Sequence, residues 1–190
     1  MSKILQKAIF LDRDGVINKE KNYVHKISDF EFIPKVFDAL KKAQNLGYKL
    51  IIITNQAGIG KGKFKERDLH VLHSYMINLL NRKGINIEAI YYCPHHPEAL
   101  LKEYKINCNC RKPNPGMLLR AAKENFIDLK KSIIIGDKLS DYYAGKNAGL
   151  LYSILVKTGH KIPIEYLKKL KYVTNDLSSA INLIDSLVRA

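Results

Sequence analysis

Near the N-terminus, in "KAIFLDRDGVI", an apolar stretch from Ala8 to Leu11 ends in two carboxylates two residues apart, Asp12 and Asp14. Side chains at that spacing in an extended segment point the same way, so both can address one site. Three readings compete. The pair can be solvated charge closing a strand, or oxygen ligands for a hard cation such as Mg²⁺ or Ca²⁺. It can also be a nucleophile and an acid/base that share Mg²⁺ with a third carboxylate, Asp137. In that case one carboxylate attacks phosphorus, while the other protonates the leaving oxygen and later deprotonates water. Like-charge proximity helps, because it favours a protonated form of one partner. Gly15 would let the chain turn sharply there.

All three cysteines fall within "CPHHPEALLKEYKINCNCRKP". Cys93 and His95 form a C-x-H pair, Cys108 and Cys110 a C-x-C pair. Three sulfurs and one imidazole complete a tetrahedral Zn²⁺ set, and with no open position such a zinc is structural. His96 rivals His95 by spacing alone. The metal would pin a long loop, 93–110, and fix where the next residues, Arg111 and Lys112, point.

These groups need elements to hold them. Continuous β-branched runs at Ala8–Leu11, Leu50–Thr54, Ile87–Tyr92, Ile133–Gly136 and Tyr152–Val156 have the pattern of strands buried on both faces of a parallel sheet. Amphipathic segments lie between and after them: Phe37–Leu46 ending at Gly47, Glu66–Arg82, Met117–Asn125, Asp141–Ala148 and Leu177–Val188. The alternation predicts an α/β, doubly wound parallel sheet in a single domain spanning 1–190. Ligands collect at the carboxyl ends of such strands. There stand Asp12-Arg13-Asp14, Thr54-Asn55-Gln56 and Gly136-Asp137-Lys138. His70 and His73 read as surface or partly buried residues of the Glu66–Arg82 helix, and the tyrosine pairs 91–92 and 142–143 as packing at the core edge.

The chain has 190 residues, 46% of them hydrophobic, and a formal charge of +14. No apolar run reaches the ~18–20 residues of a membrane helix, and no signal-peptide core opens the chain, so a cytoplasmic protein is expected. The lysines are mostly scattered, with small clusters in "KEKNY", "KGKFKER" and "KKLK", which favours a solvated surface over a polyanion groove.

"DRDG", "ITNQ", "RKP" and "GDKLSD", in that order, resemble the four motifs of the haloacid dehalogenase superfamily of phosphatases. The resemblance implies Asp12 as nucleophile, Asp14 as acid/base, and Thr54 and Lys112 holding the phosphoryl oxygens. It also implies catalytic Mg²⁺ on Asp12, the main-chain carbonyl of Asp14, and Asp137, with Asp141 behind them. "CPHHP", "CxCRKPxPGM", "NYVH", "FEFIP", "TNQAGIGKGKF" and "GDKLSDYYAG" narrow this to the heptose-bisphosphate phosphatase family, across roughly residues 8–160. That family lacks a large cap. Substrate contacts are then implied for Glu20, Lys21, Asn22, Tyr23, Asn55, Gln56, Arg111 and Lys138. The implied reaction removes the 7-phosphate of a heptose 1,7-bisphosphate, with a lean to the β anomer, in surface-glycan precursor synthesis of a Gram-negative bacterium. The implied partner is a phosphorylated sugar, with no nucleic acid or membrane, and a monomer is expected. Val16 stands where many members of the superfamily carry Thr, and Asn22 and Ala57 where many heptose enzymes have Gly and Ser. Histidinol-phosphate phosphatases are the near alternative and polynucleotide 3′-phosphatases a remoter one. A zinc-stabilised nucleic-acid-binding module would have no use for Asp12, Asp14, Lys112 and Asp137 together.

Overall fold

The computed structural model describes residues 4–189. Residues 1–3 and 190, the ends of the expected domain span, lie outside the described residues. In chain order the elements are β1 (Ala8–Leu11), α1 (Val36–Asn45), β2 (Lys49–Asn55), the one-turn α2 (Ala57–Gly60), α3 (Glu66–Arg82), β3 (Ile87–Cys93) and α4 (Gly116–Asn125). Then come β4 (Ile133–Gly136), α5 (Leu139–Ala148), β5 (Tyr152–Val156), the one-turn α6 (Ile164–Leu167), the short β6 (Val173–Thr174) and α7 (Leu177–Arg189). The five expected strands and five expected helices are all present, with ends shifted by at most two residues. The unforeseen α2, α6 and β6 are too short to carry a periodic signal.

All strand pairs are parallel, in the order β3-β2-β1-β4-β5-β6. Successive side chains leave a strand on opposite faces. Ile9, Leu11, Leu50, Ile52, Ile133 and Ile135 therefore pack with α1, α7 and Met76 and Leu80 of α3. Phe10, Ile51, Ile53 and Ile134 pack with Met117, Leu118 and Ala121 of α4 and Ala144 of α5. This is the doubly wound sheet that the alternation implies, without a large cap: the β1–α1 connection carries only a 3₁₀ turn at Ile27–Asp29 and isolated bridges. Gly47, expected to end the first helix, follows it with φ +81°.

One strand differs from expectation. β3 is an edge strand, with Glu88 exposed and Ile87, Ala89 and Ile90 only half-buried, because among the described residues no further strand pairs with its outer side. Among the described residues no helix is long and apolar enough to cross a membrane.

The strand order reverses at β1. Chain progress runs from β1 to β2 and β3 on one side, and from β4 to β5 and β6 on the other. Diverging connections open a crevice outside the carboxyl ends of β1 and β4. Asp12 follows β1 and Asp137 follows β4, so both lie at its floor.

Candidate active site

Asp12 continues the β1–β4 ladder, its N–H donating to the Ile135 carbonyl at 3.0 Å. Its Oδ1 accepts from the Arg13 N–H at 2.8 Å and lies 3.2 Å from the Lys112 ammonium. Lys112 is 3% exposed. Besides Asp12, its Nζ meets Asp141 Oδ1 at 2.5 Å and donates to the Ile53 carbonyl at 2.8 Å. Burial alone would push this ammonium towards neutrality, but Asp12 and Asp141 more than offset it and hold its pKa up. Burial raises the Asp141 carboxyl above its ordinary value against the pull of Lys112, and Asp12 and Asp137 add to the rise. The other Asp141 oxygen accepts from the Lys138 N–H at 3.0 Å and caps α5.

Asp137 is buried, its Oδ2 accepting from the His160 N–H at 2.8 Å and facing His160 Nδ1 at 2.7 Å. Its Oδ1 has no hydrogen-bond partner. Gly15, with φ +85°, makes room: a Cβ there would come within 2.6 Å of Asp137 Oδ2. Carboxylate oxygens of Asp12, Asp137 and Asp141 all lie within 4.8 Å of one another. Three buried carboxylates and an orphan oxygen against one ammonium are a donor set for a hard divalent cation.

The Asp14 carboxylate stands outside that cluster. It accepts from Asn18 Nδ2 at 2.9 Å, Gln56 Nε2 at 3.0 Å and the Arg13 guanidinium at 2.8–3.2 Å. Gln56 also donates to Thr54 Oγ1 at 2.9 Å, which leaves the Thr54 proton for an oxygen in the pocket. Asn55 grips the main chain of Lys112 in both directions, at 3.1 Å each, so part of its expected substrate role goes to placing the lysine.

The crevice is a cavity of ≈ 270 Å³ lined by Asp12, Asp14, Thr54, Asn55, Gln56 and Lys112, with Glu20, Asn22, Tyr23, Arg111 and Lys138 at its rim. Among the expected substrate residues Lys21 alone is not brought there; its ammonium pairs with Glu31 at 3.3 Å. Asn22 and Tyr23 have φ of 57° and 63°. Asparagine tolerates that left-handed conformation, so Asn22 can hold it without a glycine.

Lys61, Ser140 and His160 also line the cavity and escaped the sequence reading, and His96, weighed there only as a zinc ligand, lines it too. For His160 a signal existed: "KTGH" directly follows β5, a strand end that was left unread. His73, expected at the surface or partly buried, is 7% exposed and receives a hydrogen bond from Arg13. It lies on the inward face of α3, in step with Leu69 and Met76.

Sγ of Cys93, Cys108 and Cys110 stand 3.0–3.5 Å apart, and His95 Nδ1 lies 3.3 Å from Cys110 and 3.7 Å from Cys93. Tetrahedral zinc with bonds of about 2.3 Å spaces its sulfurs by roughly 3.8 Å, so the cluster is compatible with zinc after slight expansion. His96 is outside it, accepting from the Glu98 N–H at 3.0 Å and lining the cavity instead. Arg111 donates to the His95 carbonyl at 3.2 Å, which ties the rim cation to the cluster.

Comparison with known proteins agrees with this fold. The sequence profile of the HAD-hydrolase-like family matches residues 109–180. The crystal structure of D,D-heptose 1,7-bisphosphate phosphatase from B. bronchiseptica, complexed with magnesium and phosphate, superposes with a TM-score of 0.82 at 30% identity, covering 97% of this chain and 99% of that one. Fold and site define a haloacid dehalogenase-like hydrolase. The D-glycero-α-D-manno-heptose-1,7-bisphosphate 7-phosphatase of Photorhabdus laumondii is 48% identical over 94% of this chain and 97% of its own. The β-named enzyme of Pasteurella multocida is 44% identical over 96% and 99%. The chain belongs to their family, the D-glycero-D-manno-heptose-1,7-bisphosphate 7-phosphatases. Relatives with both anomeric names match, so similarity gives no preference for the expected β anomer.

Proposed function

We propose that the protein removes the 7-phosphate of D-glycero-D-manno-heptose 1,7-bisphosphate, leaving the 1-phosphate for nucleotidyl activation. We propose further that the chain acts as one phosphatase domain and as a monomer. The carrying observation is the convergence of Asp12, Asp14, Lys112 and Asp137 at the strand switch point.

In this reading Asp12 attacks phosphorus, the bond to O7 breaks, and Asp14 gives its proton to the departing oxygen. Water then attacks the aspartyl-phosphate as Asp14 takes its proton, and the bond to Asp12 breaks with release of phosphate. Lys112 neutralises the equatorial oxygens and the Thr54 hydroxyl donates to one of them, the electrostatic work on which phosphoryl transfer depends. Arg111, Lys61 and Lys138 at the rim suit the second anionic end of a bisphosphate. Mg²⁺ would be held by Asp12, Asp137 and the Asp14 carbonyl, and supplies positive charge to the phosphoryl oxygens. The partnerless Asp137 Oδ1 supports that fit. Zn²⁺ would be held by Cys93, His95, Cys108 and Cys110, and supplies a cross-link.

The test is Mg²⁺-dependent phosphate release from both anomers of heptose 1,7-bisphosphate, beside histidinol phosphate and a 3′-phosphorylated oligonucleotide. Turnover concentrated on a bisphosphate anomer is expected, with Asp12→Asn lowering kcat by roughly 10⁴-fold or more. Preference for either of the other two substrates overturns the assignment.

A further inference from the structure

Arg13 stands between the two carboxylates, yet neither step of the proposed chemistry uses it. It is 0% exposed, among the largest fully buried side chains of the protein. A buried guanidinium is costly unless its donors are satisfied. Here each guanidinium nitrogen has a partner, drawn from the turn after β1, from the chain at Val24 and from α3. Nε and one terminal nitrogen grip Asp14, at 3.2 Å and at 2.8–2.9 Å. That same nitrogen donates to the Val24 carbonyl at 2.6 Å, at the end of the loop that carries Glu20, Asn22 and Tyr23. The other terminal nitrogen donates to His73 Nε2 at 3.2 Å, inside α3.

We propose that His73 and Arg13 form a positioning relay, in which α3 fixes the guanidinium and the guanidinium fixes both the Asp14 carboxylate and the substrate loop. The proposal rests on Asp14 being the acid/base. To accept from Arg13, the imidazole must keep Nε2 bare and carry its proton on Nδ1. Burial first, then Arg13 and His70, lower its pKa to about 3, so it stays neutral in that form at working pH. The fork geometry matters as much as the charge: an ammonium at this place could not serve Asp14, Val24 and His73 at once. Asp14 has two other donors, Asn18 and Gln56, so losing the anchor would loosen the carboxylate rather than release it.

The decisive variants are at His73, which touches neither substrate nor the reacting atoms. His73→Leu keeps the volume and removes the acceptor; His73→Gln keeps an acceptor. On heptose 1,7-bisphosphate, His73→Leu is expected to lose about fivefold to tenfold in kcat, with KM within about twofold, and His73→Gln to recover most of the loss. Arg13→Lys, if it folds, should lose more, and KM should rise because the Val24 tether goes too. Unchanged kcat in His73→Leu, or equal losses in the Leu and Gln variants, overturns the relay. A readout independent of substrate is the NMR spectrum of protein labelled with ¹⁵N-arginine. Slowly rotating guanidinium N–H signals from Arg13 are expected in the wild type and in His73→Gln, and their collapse in His73→Leu. If the wild type turns over no bisphosphate, the functional reading fails, while the spectra still decide whether His73 anchors Arg13.

Discussion

At the scale of single residues, Lys112 is held by two carboxylates and a carbonyl, with almost no water around it. Its removal would leave two buried anions facing each other. Lys112→Met is therefore expected to cost about 3–5 kcal/mol in urea unfolding without Mg²⁺. It should also lower kcat by on the order of 10²–10³-fold, as for the loss of a transition-state donor. His73 makes a prediction of opposite sign in charge. Its folded pKa is lowered to about 3 from 6.5, first by burial and then by Arg13, so the unfolded chain binds the extra proton. Its stabilising contribution is complete above about pH 6.5 and is lost as the pH falls towards 3. Across that window the unfolding free energy should drop by up to about 1.4 kcal/mol per pH unit. Urea titrations of the wild type and His73→Gln would show the slope and its flattening.

At the scale of elements, the loop between β3 and α4, which carries the four candidate zinc ligands, has a single helical turn, at Lys102–Tyr104. Such a segment bears an ordering cost that a metal cross-link offsets. The two cations that follow it are held differently. Arg111 leans on the His95 carbonyl, whereas the Lys112 main chain is also gripped by Asn55 from β2. Stripping zinc and restoring Mg²⁺ should therefore raise KM for the bisphosphate more than it lowers kcat. Steady-state kinetics on metal-depleted protein would show it, and unchanged constants would remove the loop from the functional account. The β1 end is held in another way. Gly15 has φ +85° and no room for a Cβ, so the turn after β1 and the position of Asp137 depend on each other.

At the scale of the whole molecule, a charge of +14 surrounds a cavity whose rim holds Lys61, Arg111 and Lys138. A field of that sign concentrates a multiply charged anion at the mouth, and salt screens it. Raising the ionic strength from about 0.02 to 0.3 M should lower kcat/KM several-fold and leave kcat nearly unchanged, because Asp12 and Lys112 are buried. A proportional fall in kcat would show that bulk charge acts on the chemistry itself. The double winding does the remaining work: helices on both faces bury β1 and β4 fully, so the two strands that deliver Asp12 and Asp137 have little freedom to move.

Periodicity and end signals alone determined the five longer strands, the five longer helices and the parallel sheet, because continuous apolar runs and glycine stops are local features. The same holds for Asp12, Thr54 and Asp137, which close strands, and for the Cys93, His95, Cys108 and Cys110 set, whose members share one short window. Contacts made across the sequence were decided only by the tertiary structure. His160 reaches Asp137 across 23 positions and His73 reaches Arg13 across 60. β3 became an edge because strand order is a long-range property. His95 and His96 differ by one position, and only the path of the loop sent one imidazole to the sulfurs and the other to the cavity. A sequence states which groups are available; pairing over long separations is settled by packing, where burial makes an unpartnered charge too costly to leave alone.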